Sequence, residues 1–224
     1  MVLKLYGHPI STCTQRVVVV LHEKQVPFEF HLIDMAKGEH KSAEYLTKQP
    51  FGQVPYIDDD GFILYESRAI CHYIETKYPD QGTSLIPMDF KANALYQQAA
   101  STEAFAFNEF GAKIALETFY KPLWGQAIDQ ATVDSSLASL SAKLDVYDKI
   151  LSKQKYLAGE ASFIFFTLFF EITLADLYHL PYADLIPIAS ANIIQGRPNV
   201  ARWYKDISSR SSWQKVKEFA KSTA

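Results

Sequence analysis

Short apolar runs alternate with helical periodicities along the first eighty residues. Residues 2–6 read as a strand, stopped by Gly7, His8 and Pro9. Ser11 and Thr12 then precede five consecutive apolar residues, Val17 to Leu21, which predict a helix whose β-branched face is buried on a sheet. Residues 28–33 predict a second strand, and Pro27 bars the helix from running on into it. A polar loop over 37–41 leads to a short helix over 42–48. Residues 54–57 and 62–65 flank Asp58-Asp59-Asp60-Gly61, a strong hairpin signal. Ser67 is expected to cap a helix over 68–78. The order βαβ, then αββα, predicts a small mixed sheet with a crossover helix.

Asp80-Gln81-Gly82-Thr83-Ser84 breaks the pattern and Pro87 closes the break, so a linker is expected over 80–90. It divides an α/β domain, 1–79, from an all-helical one, 91–224. In the latter, Leu137, Leu140, Leu144, Tyr147 and Leu151 step by three and four residues and put one apolar stripe on one helix face. Val200, Trp203, Tyr204 and Ile207 make a second stripe, and residues 213–220 predict a last short helix. Thr173-Leu174-Ala175-Asp176 has the spacing of a capping box. Just before it, residues 161–170 carry five phenylalanines and no charge. That run is far short of the ~20 apolar residues that span a bilayer, and it is an aggregation hazard if exposed.

Composition narrows the class. The chain has 224 residues, 48% hydrophobic and 21% charged, which suits a packed core and argues against disorder. A net charge of −3 with no Lys/Arg cluster excludes the electrostatic footprint of a nucleic-acid binder. Two cysteines, Cys13 and Cys71, cannot make a disulfide framework, and the six histidines show no metal-ligand spacing, so no metal site is expected. The opening residues lack an apolar signal core, so a cytoplasmic location is expected.

Candidate chemistry gathers at helix starts. Free N–H groups and a partial positive charge there favour anions. Ser11 follows the first strand and Ser67 follows the hairpin; Glu66, beside Ser67, would suit an ammonium group. An anion receptor next to a cation receptor could hold the two ends of an amino acid. From the residues alone, a plain N-cap and such a receptor both stay open.

Three segments, residues 11–17 (STCTQRV), 51–55 (FGQVP) and 66–70 (ESRAI), together resemble the glutathione transferase signature. Glu39-His40-Lys41 and residues 120–125 (YKPLWG) are similar to the phi class of plants and fungi. Leu157-Ala158-Gly159 and the capping box match the helical domain of the wider family. The resemblance implies a thioredoxin-like N-terminal domain and a C-terminal helical bundle. It implies that Ser11 hydrogen-bonds the glutathione sulfur and that Val54, ahead of a cis Pro55, pairs its backbone with the cysteinyl part. Gln53, Glu66 and Ser67 would hold the γ-glutamyl end, and His40 and Lys41 the glycine carboxylate. Ile10, Met35, Phe105, Phe107, Phe119, Tyr120 and Tyr178 would wall an electrophile pocket expected between the domains.

The implied activity is transfer of glutathione to small hydrophobic electrophiles, with hydroperoxide reduction as a second activity. Glutathione is the co-substrate and no further cofactor is implied. A homodimer is expected, with Phe51 as an aromatic key into the partner, and no membrane span. Two rival readings remain: a non-catalytic glutathione-dependent carrier or regulator on the same fold, and a thiol-reducing enzyme using Cys13. Cysteine-type relatives carry their cysteine five residues before the helix arginine; counting back from Arg16 gives Ser11. Cys71 is expected to be a packed core residue. Relatives have about four residues between Gly159 and Leu174, where this chain has 14. Three readings of the excess stay open, a surface elaboration, a membrane-touching loop and a translated non-coding stretch, and it bears on the stability of the helical domain.

Overall fold

Five consecutive buried residues cannot share one face of a helix, so a helix that carries them needs cover on more than one side. In the computed structural model, which describes residues 2–159, 161–164, 167–169 and 172–221, this decides how the chain divides. The first compact unit is Met1–Ser84 together with Arg210–Ala224, and the second is Leu85–Ser209.

The first unit opens with β1 (Leu3–Gly7), α1 (Thr12–Glu23) and β2 (Phe28–Leu32). After α2 (Ala43–Leu46) come β3 (Tyr56–Asp59), β4 (Phe62–Tyr65) and α3 (Ser67–Lys77). The sheet order is β2-β1-β3-β4, with β1 parallel to β2 and the other pairs antiparallel. The expected hairpin turn is present. Asp60 and Gly61 both have positive φ, 57° and 87°, as a two-residue turn between right-twisted strands requires.

Val17, Val18, Val19, Val20 and Leu21 of α1 are all fully buried. The helix packs on α3 and on the C-terminal helix, Ser211–Lys221. The last helix therefore belongs with the first unit, not with the helical domain expected over 91–224. Trp213 and Val216 are buried, and Phe219 meets Phe30 of β2 edge to face at 4.7 Å. The buried Glu23 carboxylate accepts from Arg210 Nε and Nη2 at 2.6 and 2.8 Å and from the Ser212 hydroxyl.

The start of the expected linker is pinned to the end of α1. Thr83 N–H donates to Glu23 O at 3.0 Å, and Lys24 Nζ donates to Thr83 O at 3.0 Å. Gly82 sits at φ +63°, where an added Cβ would lie 2.2 Å from Glu23 O, so no larger residue fits.

The second unit begins with a long helical stretch. It runs through α4 (Phe90–Thr102), a π-helical turn (Glu103–Phe107), α5 (Asn108–Ala115), a second π turn (Leu116–Tyr120) and α6 (Lys121–Leu123). The 22-residue α7 (Gln130–Leu151) buries Leu140, Leu144, Tyr147 and Leu151 as the stripe predicts, with Leu137 only half-buried. Within the Phe-rich run, β5 (Ala161–Ile164) and β6 (Thr167–Phe169) pair antiparallel. The short helices α8 (Leu174–Leu177), α9 (Leu180–Ala183) and α10 (Asn192–Gln195) lead to α11 (Pro198–Ser208).

Val200, Trp203 and Ile207 of α11 are buried, while Tyr204 is half-buried and donates to Asp184. The core of this unit is an aromatic cage around His179. Phe107 and Trp203 lie 4.6 and 5.0 Å from its ring, and the Tyr147 hydroxyl is 3.1 Å from Nε2. His179 Nδ1 donates to Ala175 O at 2.7 Å, so Nε2 is the acceptor for the tyrosine. Among the described residues no helix is long and apolar enough to cross a membrane.

Candidate functional site

Three chain reversals of the first unit meet at one end of its sheet. The strand register pairs Tyr6 with Tyr56 and Tyr56 with Tyr65. This aligns the C-terminal end of β1, the N-terminal end of β3 and the C-terminal end of β4. Ser11, Val54-Pro55 and Glu66-Ser67 follow or precede those ends directly. An added Cβ on Gly7 would lie 3.4 Å from Pro55 Cβ, which shows how closely the Val54–Pro55 turn abuts the end of β1. The Val54–Pro55 bond is cis, as expected.

Ser11 is the N-cap of α1, with extended backbone angles and its Oγ accepting from Thr14 N–H at a long 3.4 Å. The side chain is half-buried. The approach loop is held from inside: Gln15 Nε2 donates to Pro9 O, and His8 N–H to Thr14 Oγ1. Burial, partly offset by Asp34, pushes the His8 imidazole below its ordinary pKa.

Ser67 does not cap α3. Glu66, at φ +70°, holds the N-cap position, and Ser67 is the first helical residue, buried, with its Oγ accepting from Arg16 Nη1 at 2.9 Å. The same Arg16 nitrogen lies 3.6 Å from Cys13 Sγ. Arg16 is fully buried and so ties the starts of α1 and α3 together. In the sequence Arg16 only marks the count back to Ser11. Its position three residues after Cys13, on the same helix face, was the signal that it also holds the site.

The remaining candidates lie on the loop between β2 and β3. Lys41 Nζ donates to Gly52 O at 2.6 Å and to Phe51 O at 3.3 Å and so fastens the turn ahead of Gln53. Tyr45 donates to Gln53 O at 2.6 Å, and Gln53 and Glu66 are exposed. His40 is half-buried, and its Nδ1 is buried without a hydrogen-bond partner among the described residues. Burial, then the nearby Lys41 charge, lowers its pKa. Ser67 is thus tied to Arg16, Gln53 to Tyr45 and Lys41 to the Gly52 turn, and Pro55 abuts the end of β1.

The expected electrophile wall divides differently. Ile10 and Met35 are half-buried in the first unit; Phe119 and Tyr120 are half-buried on the second π turn of the other. Tyr178 and Phe107 are 2% and 1% exposed, and Phe107 packs on Tyr147 and His179 of the second unit. Phe105, in contrast, is exposed. Cys71 is buried as expected, its thiol pushed up to about 12 by burial. Cys13 is half-buried.

The family model "Glutathione S-transferase, N-terminal domain" matches residues 1–76, and "Glutathione S-transferase, C-terminal domain" matches 104–211. Glutathione S-transferase F7 of Arabidopsis thaliana is 38% identical over 215 residues, covering 96% of this chain and 98% of that one. The crystal structure of glutathione transferase F7 from Populus trichocarpa matches at TM-score 0.89 and 40% identity, covering 98% of this chain and 99% of the other. Glutathione S-transferase I from Mais, in complex with an atrazine glutathione conjugate, matches at TM-score 0.87 and 32% identity over 100% of both chains.

Proposed function

The chain belongs to the glutathione S-transferase family, with phi-class members among its relatives, and from that premise we propose that it activates the glutathione thiol for attack on hydrophobic electrophiles. The observation that carries this is Ser11 at the start of α1. Its oxygen accepts one long contact, and among the described residues its hydroxyl proton has no acceptor. That proton is available to a sulfur anion, at a helix end that itself favours negative charge.

A free thiol has a pKa of about 8.5, so only a few per cent is thiolate at pH 7. Lowering it by about two units takes roughly 2.7 kcal/mol, within reach of one charge-assisted hydrogen bond plus a helix terminus. The gain in thiolate is at most about 30-fold, because the ionised fraction cannot exceed one. Positioning of the electrophile supplies the rest. Ser11 acts as a donor here, not as a nucleophile.

In this reading Val54 presents its backbone to the cysteinyl part, Gln53, Glu66 and Ser67 hold the γ-glutamyl end, and His40 and Lys41 face the glycine carboxylate. The unpartnered His40 nitrogen and the Lys41 charge support that last assignment. Ile10, Met35, Phe119 and Tyr120 are the residues offered to the electrophile. Phe51, 65% exposed, is offered to a second copy of the chain. The test is Ser11→Ala: conjugation of an aryl halide falls at least tenfold while glutathione affinity persists. Unchanged turnover in that variant refutes the reading, and no turnover in either protein favours a carrier.

A further inference from the structure

The turn that delivers Ser11 to the start of α1 is built around His8. Ser11 N–H donates to His8 O at 2.9 Å, which closes a four-residue reversal over 8–11. Pro9, buried, is its second residue, where a fixed φ of about −65° suits the turn. The first position of such turns favours asparagine, aspartate or serine, because their side-chain oxygens accept from the N–H two residues on. Here the imidazole takes that part: Ile10 N–H donates to His8 Nδ1 at 3.4 Å.

The same residue ties the turn to the helix. Its N–H donates at 3.3 Å to Oγ1 of Thr14, which is fully buried. The end of β1 is close against that hydroxyl, since an added Cβ on Gly7 would lie 2.7 Å from it. From the helix side, Gln15 N–H donates to Ser11 O at 2.9 Å and Gln15 Nε2 to Pro9 O at 3.0 Å. The contact at Ser11 Oγ itself, from Thr14 N–H, is long at 3.4 Å. The backbone of the turn, more than that weak bond, therefore sets where the hydroxyl stands.

Accepting from Ile10 requires a bare Nδ1, so the ring is neutral and carries its proton on Nε2. Burial, opposed by the Asp34 charge, favours that neutral form. His8 thus holds the N–H groups of two successive residues, Ile10 by its ring and Ser11 by its carbonyl. We propose that His8 is a positioning residue for thiol activation, acting through the backbone of Ile10 and Ser11 to hold the Ser11 hydroxyl where the glutathione sulfur arrives. This rests on the reading of Ser11 given above.

The test is the ionisation midpoint of glutathione bound at saturation, followed by thiolate absorbance, in variants of the full chain. His8→Ala raises the midpoint by about half a unit, and conjugation of an aryl halide below that midpoint falls about threefold. Asparagine places Oδ1 where Nδ1 stands, so His8→Asn returns the midpoint to within about 0.2 units of wild type. Glutamine carries its oxygen one bond further out, so His8→Gln behaves as His8→Ala; this comparison still decides the matter where alanine prevents folding. In a Ser11→Ala background His8→Ala has no further effect, as expected of residues that act as one unit. Equal midpoints in His8→Asn and His8→Gln, or shifts of His8→Ala and Ser11→Ala that add, overturn the proposal. A midpoint moved by Ser11→Ala but by neither His8→Ala nor His8→Gln overturns it alone. A midpoint that Ser11→Ala leaves unmoved overturns the thiol-activating reading and this inference with it.

Discussion

Replacing Asp176 with alanine removes a fully buried carboxylate that four donors share. Oδ1 accepts from Leu157 N–H at 3.0 Å and from the Trp203 indole N–H at 2.9 Å. Oδ2 accepts from the N–H and hydroxyl of Thr173 at 3.0 and 2.9 Å. Loss of the helix-start contact costs about 1 kcal/mol. Leaving the Leu157 and Trp203 donors unpaired in the core costs about 1–3 kcal/mol each. The expected total is about 3–7 kcal/mol, a large share of the ~5–15 kcal/mol that holds a typical protein folded. Asp176→Asn keeps an acceptor for Leu157 and Trp203 but turns an NH₂ toward Thr173, so about 1–3 kcal/mol is expected. Urea unfolding followed by tryptophan fluorescence measures both variants. A shift below about 1 kcal/mol for Asp176→Ala would show that the carboxylate does not hold this unit together.

Asp176 also bears on the Phe-rich run. Leu157 N and Thr173 N lie within about 8 Å of each other, since each donates to an oxygen of one carboxylate, and six residues of chain reach about 20 Å. Deleting residues 161–170 should therefore leave the melting temperature and conjugation rate near wild type; loss of folding would refute the claim that the Asp176 carboxylate holds the two ends of this run together. Burial pushes the Glu23 carboxyl up, but hydrogen bonds from Arg210, Ser212 and Thr83 and the Arg210 charge outweigh it and hold the pKa below its ordinary value. Its stabilisation is thus present above the unfolded-state value and lost as pH falls through the folded one. Stability curves of wild type and Glu23→Gln should converge on acidification, and parallel curves from neutrality to about pH 3 would contradict this. A thiol reagent at neutral pH should label Cys13 in the native protein and both cysteines in denaturant, because burial holds the Cys71 thiol protonated. Native labelling of Cys71 would refute that.

Much of this was readable before folding. Alternation and turn residues gave all four strands of the main sheet, and Ser11 holds the cap position its residue type predicts. What escaped was set by distant partners. Nothing local says that the last helix packs on α1; the unbroken Val17–Leu21 run was the clue, since such a helix needs cover on two sides. Ser67 looked like a cap because serine favours that position, but a buried Arg16 takes its hydroxyl and Glu66 makes the turn. Aromatic residues carry no mark of whether they face a ligand or the core. Residue type therefore offers Tyr178 as a pocket wall, although it is 2% exposed.

The most direct measurement is the ultraviolet thiolate absorbance of protein-bound glutathione as a function of pH, in wild type and in Ser11→Ala. The ionisation midpoint should lie about two units below the free-thiol value near 8.5 in wild type and move back toward it by one unit or more in the variant. An unshifted midpoint in wild type, or the same midpoint in both proteins with glutathione bound, contradicts a thiolate steadied by that hydroxyl.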